Sequence, residues 1–210
     1  MTYPTNTHYS EFLTRDNAVL AMIDHQAGLM VGVGDEHPTI LKNNIQGLCN
    51  TAKTAGIPSI ITSSLDDGPN GPVIPEITDI LGDNIIKREG EINAWDSEEF
   101  KAAIVATGRK KIIMAGIVTD VCLLFPALSA VAEGFDVYAV IDASGTWNKT
   151  VQEVTTQRLT QAGVKVTTWA SVLAEIMNDW RSENAEELGY VLANHSTKYG
   201  YVMNSHFANK

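Results

Sequence analysis

The sequence predicts a three-layer α/β fold: a doubly wound parallel sheet with helices on both faces. Three observations predict it. Short, continuous apolar runs such as 18–23 (Ala-Val-Leu-Ala-Met-Ile) read as strands buried on both faces. Segments with apolar residues at helical spacing alternate with those runs, the pattern of βαβ units. The chain of 210 residues, 44% hydrophobic and 19% charged, suits one domain with a sizeable core.

Each element has its own signal. The run 18–23 ends at Asp24 and reads as a central strand. Residues 39–55 carry Ile40, Leu41, Ile45, Leu48, Ala52 and Ala55 at helical spacing, with Gly56 as the stop. A second strand spans 58–62, followed by a Gly/Pro/Asp-rich loop, 63–75. A short strand, 84–87, ends in a basic residue. Ser97 opens a helix whose first turn holds Glu98 and Glu99, signs that suit the helix dipole; it ends near Gly108. Residues 111–115 form the next strand, and the helix carrying Cys122 closes at Gly134. Strand 136–141, helix 150–162, strand 164–168 and a helix over 171–180 capped by Ser171 complete the alternation. Beyond Arg181 one helical candidate, 184–193, precedes a polar and aromatic end with Tyr199, Tyr201 and Phe207. Residues 1–180 thus form the domain, and 181–210 a C-terminal extension expected to pack across a subunit interface.

A formal net charge of −10 argues against nucleic acid or an anionic membrane as partner. The two cysteines, Cys49 and Cys122, suggest no disulfide framework and favour a reduced, cytoplasmic setting. The N-terminus shows no cleavable signal, and no apolar run is long enough to cross a bilayer.

Ligands of such sheets bind beyond the carboxyl ends of the strands. Asp24, Lys87 and Cys122 fall at three of those ends. A carboxylate near a thiol takes its proton and later returns it to a leaving amine. An ammonium nearby favours the thiolate, as does a place in the first turn of a helix capped by Thr119 or Asp120. The turn from Gly116 to Thr119 is suited to aiming backbone N–H groups at an oxyanion. The plainer alternatives are Cys122 as a small buried hydrophobe, Asp24 as a cap and Lys87 as a solvated strand end. Cys49, within the first long helix, reads as core.

The Ile23-Asp24 strand end, the Lys87…Ile92-Asn93-Ala94-Trp95 segment, the turn Gly116-Ile-Val-Thr-Asp-Val-Cys122 and Asp142-Ala-Ser-Gly145 resemble the isochorismatase-like cysteine hydrolases. That family includes nicotinamidases and N-carbamoylsarcosine amidase, and its fold has Rossmann-type topology. The resemblance spans about residues 17–180, and the segment from Lys87 to Asp96 looks closest to the YcaC-like branch, ring-forming oligomers of poorly defined substrate. It implies a catalytic triad of Asp24, Lys87 and Cys122, a cis peptide at Ile117–Val118, and an oxyanion hole from the N–H groups of Val118 and Cys122. It also implies a pocket bordered by Asn93, Trp95 and Trp147. Nicotinamidases carry an Asp-x-His-x-His type metal cluster after the second strand; this chain has Ser63-Ser-Leu-Asp-Asp-Gly-Pro-Asn, so neither metal nor cofactor is expected. Gly32-Val-Gly34 lacks the third glycine of a dinucleotide loop.

These readings converge on a cysteine hydrolase that cleaves a C–N bond of a small amide or carbamoyl compound through a thioester, working as a homo-oligomer. The alternatives are a structural or binding oligomer with little turnover, and an isochorismatase-like ether hydrolase.

Overall fold

The computed structural model describes residues 11–208. The strands are β1 (Ala18–Ile23), β2 (Ser59–Ser64), β3 (Ile85–Arg88), β4 (Lys111–Gly116), β5 (Asp136–Val140) and β6 (Lys165–Thr167). They form one parallel sheet in the order β3-β2-β1-β4-β5-β6. The path runs outward from β1 to β3, then returns to β4 on the other side of β1. Right-handed crossovers therefore place helices on opposite faces for the two halves. The reversal lies between β1 and β4, the place in the strand order at whose carboxyl edge ligands of such sheets bind.

The helices are α1 (Ala27–Val31), α2 (Pro38–Ala55), α3 (Pro75–Leu81), α4 (Glu98–Ala106), α5 (Leu124–Ala132), α6 (Lys149–Gln161), α7 (Trp169–Met177), α8 (Ala185–His195) and α9 (Thr197–Ala208). α2 packs with α3, α7 and α8; α5 packs with α6 on the other half. β1 and β4 are buried along their whole length, as their unbroken apolar sequences require. In α2, Pro38 stands in the first turn, the His37 ring accepts from Thr39 N–H, and Gly56 ends the helix at φ 70°. Leu41, Ile45 and Leu48 of α2 are enclosed, each such side chain contributing about 1.5–3 kcal/mol of burial, whereas Ile40 points to solvent.

The structure departs from the sequence reading at several places. β3 ends at Arg88, one residue beyond the expected strand. α1, α3 and α9 add three helices. α7 starts at Trp169 and is capped by the Thr168 hydroxyl, which accepts from Ser171 N–H, rather than by Ser171 itself. Within the extension, α8 lies on α2 of its own chain. Its Ala185 and Leu188 are buried, Asn43 Nδ2 donates to His195 O at 2.6 Å, and the His195 ring meets Trp169 edge-on. α9 buries none of its residues; Tyr199 stacks on Trp180, and Tyr201 and Phe207 are exposed. No helix among the described residues is long and apolar enough to cross a membrane.

Candidate active site

Asp24 ends β1 in the left-handed region, at φ 55°, a conformation that aspartate tolerates better than most residues. Its N–H donates to Thr62 O of β2 at 2.9 Å, and its side chain is enclosed. The Arg88 guanidinium is equally enclosed, and each of its nitrogens has a partner. Nη2 donates to Asp24 Oδ1, Nε to Thr62 Oγ1 at 3.1 Å, and Nη1 to Glu91 O at 2.5 Å. A rigid fork of donors suits an enclosed carboxylate better than a single ammonium does.

Lys87, expected beside Asp24, stands elsewhere. Its side chain is 68% exposed and its Nζ lies 3.0 Å from Asp66 Oδ2. Consecutive residues of a strand face opposite sides, so of two adjacent basic residues only one reaches the site. The phase of β3 gives that place to Arg88. No periodicity in the sequence separates them; in the fold the enclosed carboxylate does, because it calls for several fixed donors.

Cys122 is 8% exposed and hydrogen-bonds through its thiol to Asp24. It does not sit in a side-chain-capped α-helix. Residues Thr119–Leu123 form a π turn that starts after Val118, without a side-chain cap. Val118 O collects three N–H groups, from Val121 at 3.1 Å, Cys122 at 2.8 Å and Leu123 at 3.4 Å. The Cys122 N–H, expected in an oxyanion hole, is thus engaged within the turn. The Ile117–Val118 peptide is cis, and the Val118 N–H faces the Cys122 sulfur.

The electrostatics also differ from expectation. Burial pushes the Cys122 thiol up, the Asp24 carboxylate pushes it further, and Val118 N–H and Arg88 only partly offset this. Burial likewise raises the Asp24 carboxyl above its ordinary range, against the pull of Arg88. The resting pair is therefore a protonated thiol hydrogen-bonded to an enclosed base, rather than a thiolate prepared by a helix dipole.

The expected pocket residues separate into two groups. Trp95 is packed, edge-on to Phe100 and Phe135, with its Nε1 donating to Glu133 Oε1 at 3.1 Å. Asn93 caps the turn Ala94–Asp96 and donates to Asp96 and Ser129, so its amide is spent on structure. Trp147, 47% exposed, follows the segment that braces the Cys122 turn. There Thr119 N–H donates to Gly145 O, and Thr146 Oγ1 donates to Asp120 Oδ1 at 2.7 Å. Gly32 and Gly34 also find their use here. A Cβ at Gly32 would lie 2.6 Å from the Trp147 ring, and one at Gly34 2.4 Å from Trp147 O. Cys49 is enclosed in the core and its thiol is pushed up to about 12 by burial.

An isochorismatase-domain family model matches residues 18–171. The chain belongs to the isochorismatase family. It is 45% identical over 195 residues to the probable hydrolase YcaC of Escherichia coli (strain K12), covering 92% of this chain and 93% of that one. A solved structure of YcaC from Pseudomonas aeruginosa with hexane-2,5-diol and covalent acrylamide superposes with TM-score 0.90 at 42% identity, over 98% of both chains. The Escherichia coli YcaC structure, described as an octameric hydrolase of unknown specificity, gives TM-score 0.92 at 42% identity over the whole of both chains.

In this family member a residue that the sequence reading passed over holds the loop after β2. Gln26 is buried, with Oε1 accepting from Ser64 N–H at 3.1 Å and Nε2 donating to Ser64 O and Gly71 O. Gly28 N–H donates to Asn70 O, and a Cβ at Gly28 would collide with Pro69 O. The loop is thereby tied to the segment that carries Asp24, and Asp66 faces Lys87. Isolated polar residues such as Gln26 give no periodic signal, so only the folded chain reveals the clamp.

Proposed function

We propose that the protein is a cysteine hydrolase that cleaves a C–N bond of a small amide or carbamoyl compound through a thioester. The observation that carries this reading is the hydrogen bond from the Cys122 thiol to Asp24, with Arg88 fixed on the same carboxylate. Asp24 takes the thiol proton as the sulfur attacks the carbonyl carbon. The C–S bond forms, and the carbonyl π electrons move onto oxygen. In this reading the Val118 N–H donates to that oxyanion; its direction toward the Cys122 sulfur supports the role. Asp24 then returns the proton to the leaving nitrogen as the C–N bond breaks. Water, deprotonated by Asp24, hydrolyses the thioester and restores the thiol. Arg88 keeps Asp24 in place and offsets the negative charge that the pair carries while the sulfur is a thiolate.

The covalent acrylamide on the Pseudomonas aeruginosa YcaC supports a reactive nucleophile in that relative, and the octameric Escherichia coli YcaC supports a homo-oligomer here. A second reading, an assembly with little turnover, draws on the low exposure of Cys122 and its raised thiol. A screen of small amides and carbamoyl compounds, with ammonia or amine release as readout, separates the two. Release by the wild type and none by Cys122→Ala supports the hydrolase; no release by either favours the assembly.

A further inference from the structure

We infer that the Thr62 hydroxyl is the positioning group that sets the Arg88 guanidinium on Asp24, and that through Arg88 it governs how readily Cys122 gives up its proton. The inference rests on the reading of Cys122 and Asp24 as nucleophile and base. Thr62 is enclosed in β2, in register with Ile86 of β3. Its hydroxyl has one proton, which it donates to Ile86 O at 2.8 Å. Its lone pairs then face Arg88 Nε, which donates to them at 3.1 Å. The direction of the hydroxyl is thus fixed by the strand, and the hydroxyl in turn fixes the plane of the guanidinium. Glu91 O holds Nη1, which leaves Nη2 for Asp24. The same strand also bonds Asp24 directly, through Thr62 O, so one residue holds both members of the ion pair.

The charged and titratable groups at this point are few. Asp24 and the buried His25 come from the end of β1, Asp66 from the loop after β2, Lys87 and Arg88 from β3, and Glu91, whose carboxylate is held down by backbone N–H groups and in part by Arg88, from the turn after β3. Asp66 is engaged by Lys87, and burial holds His25 neutral, its pKa lowered to about 4. Arg88 is therefore the cation on which the pair depends, and a small displacement of it is felt by the thiol.

The test is the pH profile of Cys122 alkylation by iodoacetamide, followed by peptide mass, in wild type, Thr62→Val, Thr62→Ser, Arg88→Lys and the double variant Thr62→Val with Arg88→Lys. Thr62→Val keeps the shape and removes the hydroxyl. Its profile should move to higher pH, with the rate at neutral pH falling about threefold to tenfold. Thr62→Ser should stay within about twofold of wild type. In the Arg88→Lys background, where no Nε–H exists, Thr62→Val should add less than about twofold, the non-additivity of groups acting through one another. A Thr62→Val profile that coincides with wild type, or an equal shift in the Arg88→Lys background, overturns the inference. Thr62→Ala goes through the same cycle if the valine variant does not fold. Failure of the nucleophile reading looks different: wild-type Cys122 is then no more reactive than Cys49. In that case a crystal structure of Thr62→Val decides, since Arg88 Nη2 should have left Asp24, and a guanidinium in the same place refutes the role.

Discussion

Arg88 and Asp24 meet as an ion pair closed to water on both sides, while the neighbouring Lys87 reaches out to Asp66 at the surface. Removing one partner of an enclosed pair leaves an uncompensated charge, at a cost of about 3–5 kcal/mol. Arg88→Met should therefore lower stability by about that amount and move Cys122 alkylation to higher pH, because the carboxylate beside the thiol has lost its cation. Lys87→Met should leave both the unfolding midpoint and the alkylation profile nearly where they are. Asp24→Asn should move alkylation the other way, to lower pH, while abolishing turnover. Equal effects from Lys87→Met and Arg88→Met would refute the division of roles between them.

The two cysteines should separate cleanly. Cys122→Ala should reduce hydrolysis of any amide substrate by several orders of magnitude, since loss of the nucleophile disables the whole set. Cys49→Ala, in the core of α2, should leave kcat and KM nearly unchanged. Steady-state kinetics on a hydrolysed amide decides this, and residual activity above a few per cent in Cys122→Ala would rule out the thioester.

The contrast between Arg88 and Lys87 also marks how far the sequence could be read. β1, β4 and α2 were legible because continuous apolar runs and helical spacing report burial directly. The Ser97 cap was legible because a hydroxyl before two glutamates has a local mechanism. The phase of β3 was not, because the side chains at Ile85, Ile86 and Lys87 have no pattern of alternation and burial picks out only Arg88. The π turn was not legible either. It depends on Val118 O gathering three N–H groups after a cis peptide, which no propensity encodes. The raised thiol follows from the enclosure of the site as a whole, so placing Cys122 near a helix start led to the opposite sign. α9 escaped because it has no buried face to impose a period.

That last helix bears on assembly. α8 is docked on α2, so deletion of residues 182–210 would strip Leu188 from the core and confuse folding with association. Deletion of 197–210 removes α9 alone, with Tyr199, Tyr201 and Phe207. If this end packs against another subunit, the truncated protein should remain folded by circular dichroism and give smaller particles by light scattering. Folded protein with an unchanged particle size would count against the interface.

The turn after β5 joins two titrating groups with opposite effects on stability. His25 Nε2 lies 2.9 Å from Ala143 O, and Asp142 Oδ1 accepts from Trp169 N–H at 2.9 Å. Burial lowers His25 from 6.5 to about 4 and raises Asp142 from 3.8 to about 6. For His25 the unfolded chain binds more protons, so its contribution is fully present above pH 6.5 and is lost as pH falls through about 4. For Asp142 the folded chain binds more protons, so its contribution is present below pH 3.8 and lost as pH rises through about 6. Between about pH 4 and 6 the two slopes oppose each other, and the wild type should show little net dependence from this pair. Asp142→Asn keeps the acceptor for Trp169 N–H and removes the charge. It should stabilise the protein at neutral pH by about 1–2 kcal/mol, after allowance for partial exposure, and raise Tm by a few degrees. It should also uncover the His25 slope, so that stability falls more steeply than in wild type as pH drops from 6.5 to 4. Urea unfolding across that range, at fixed protein concentration, measures the difference between the two curves. A difference that does not change with pH would mean that Asp142 titrates at its ordinary value and does not oppose His25.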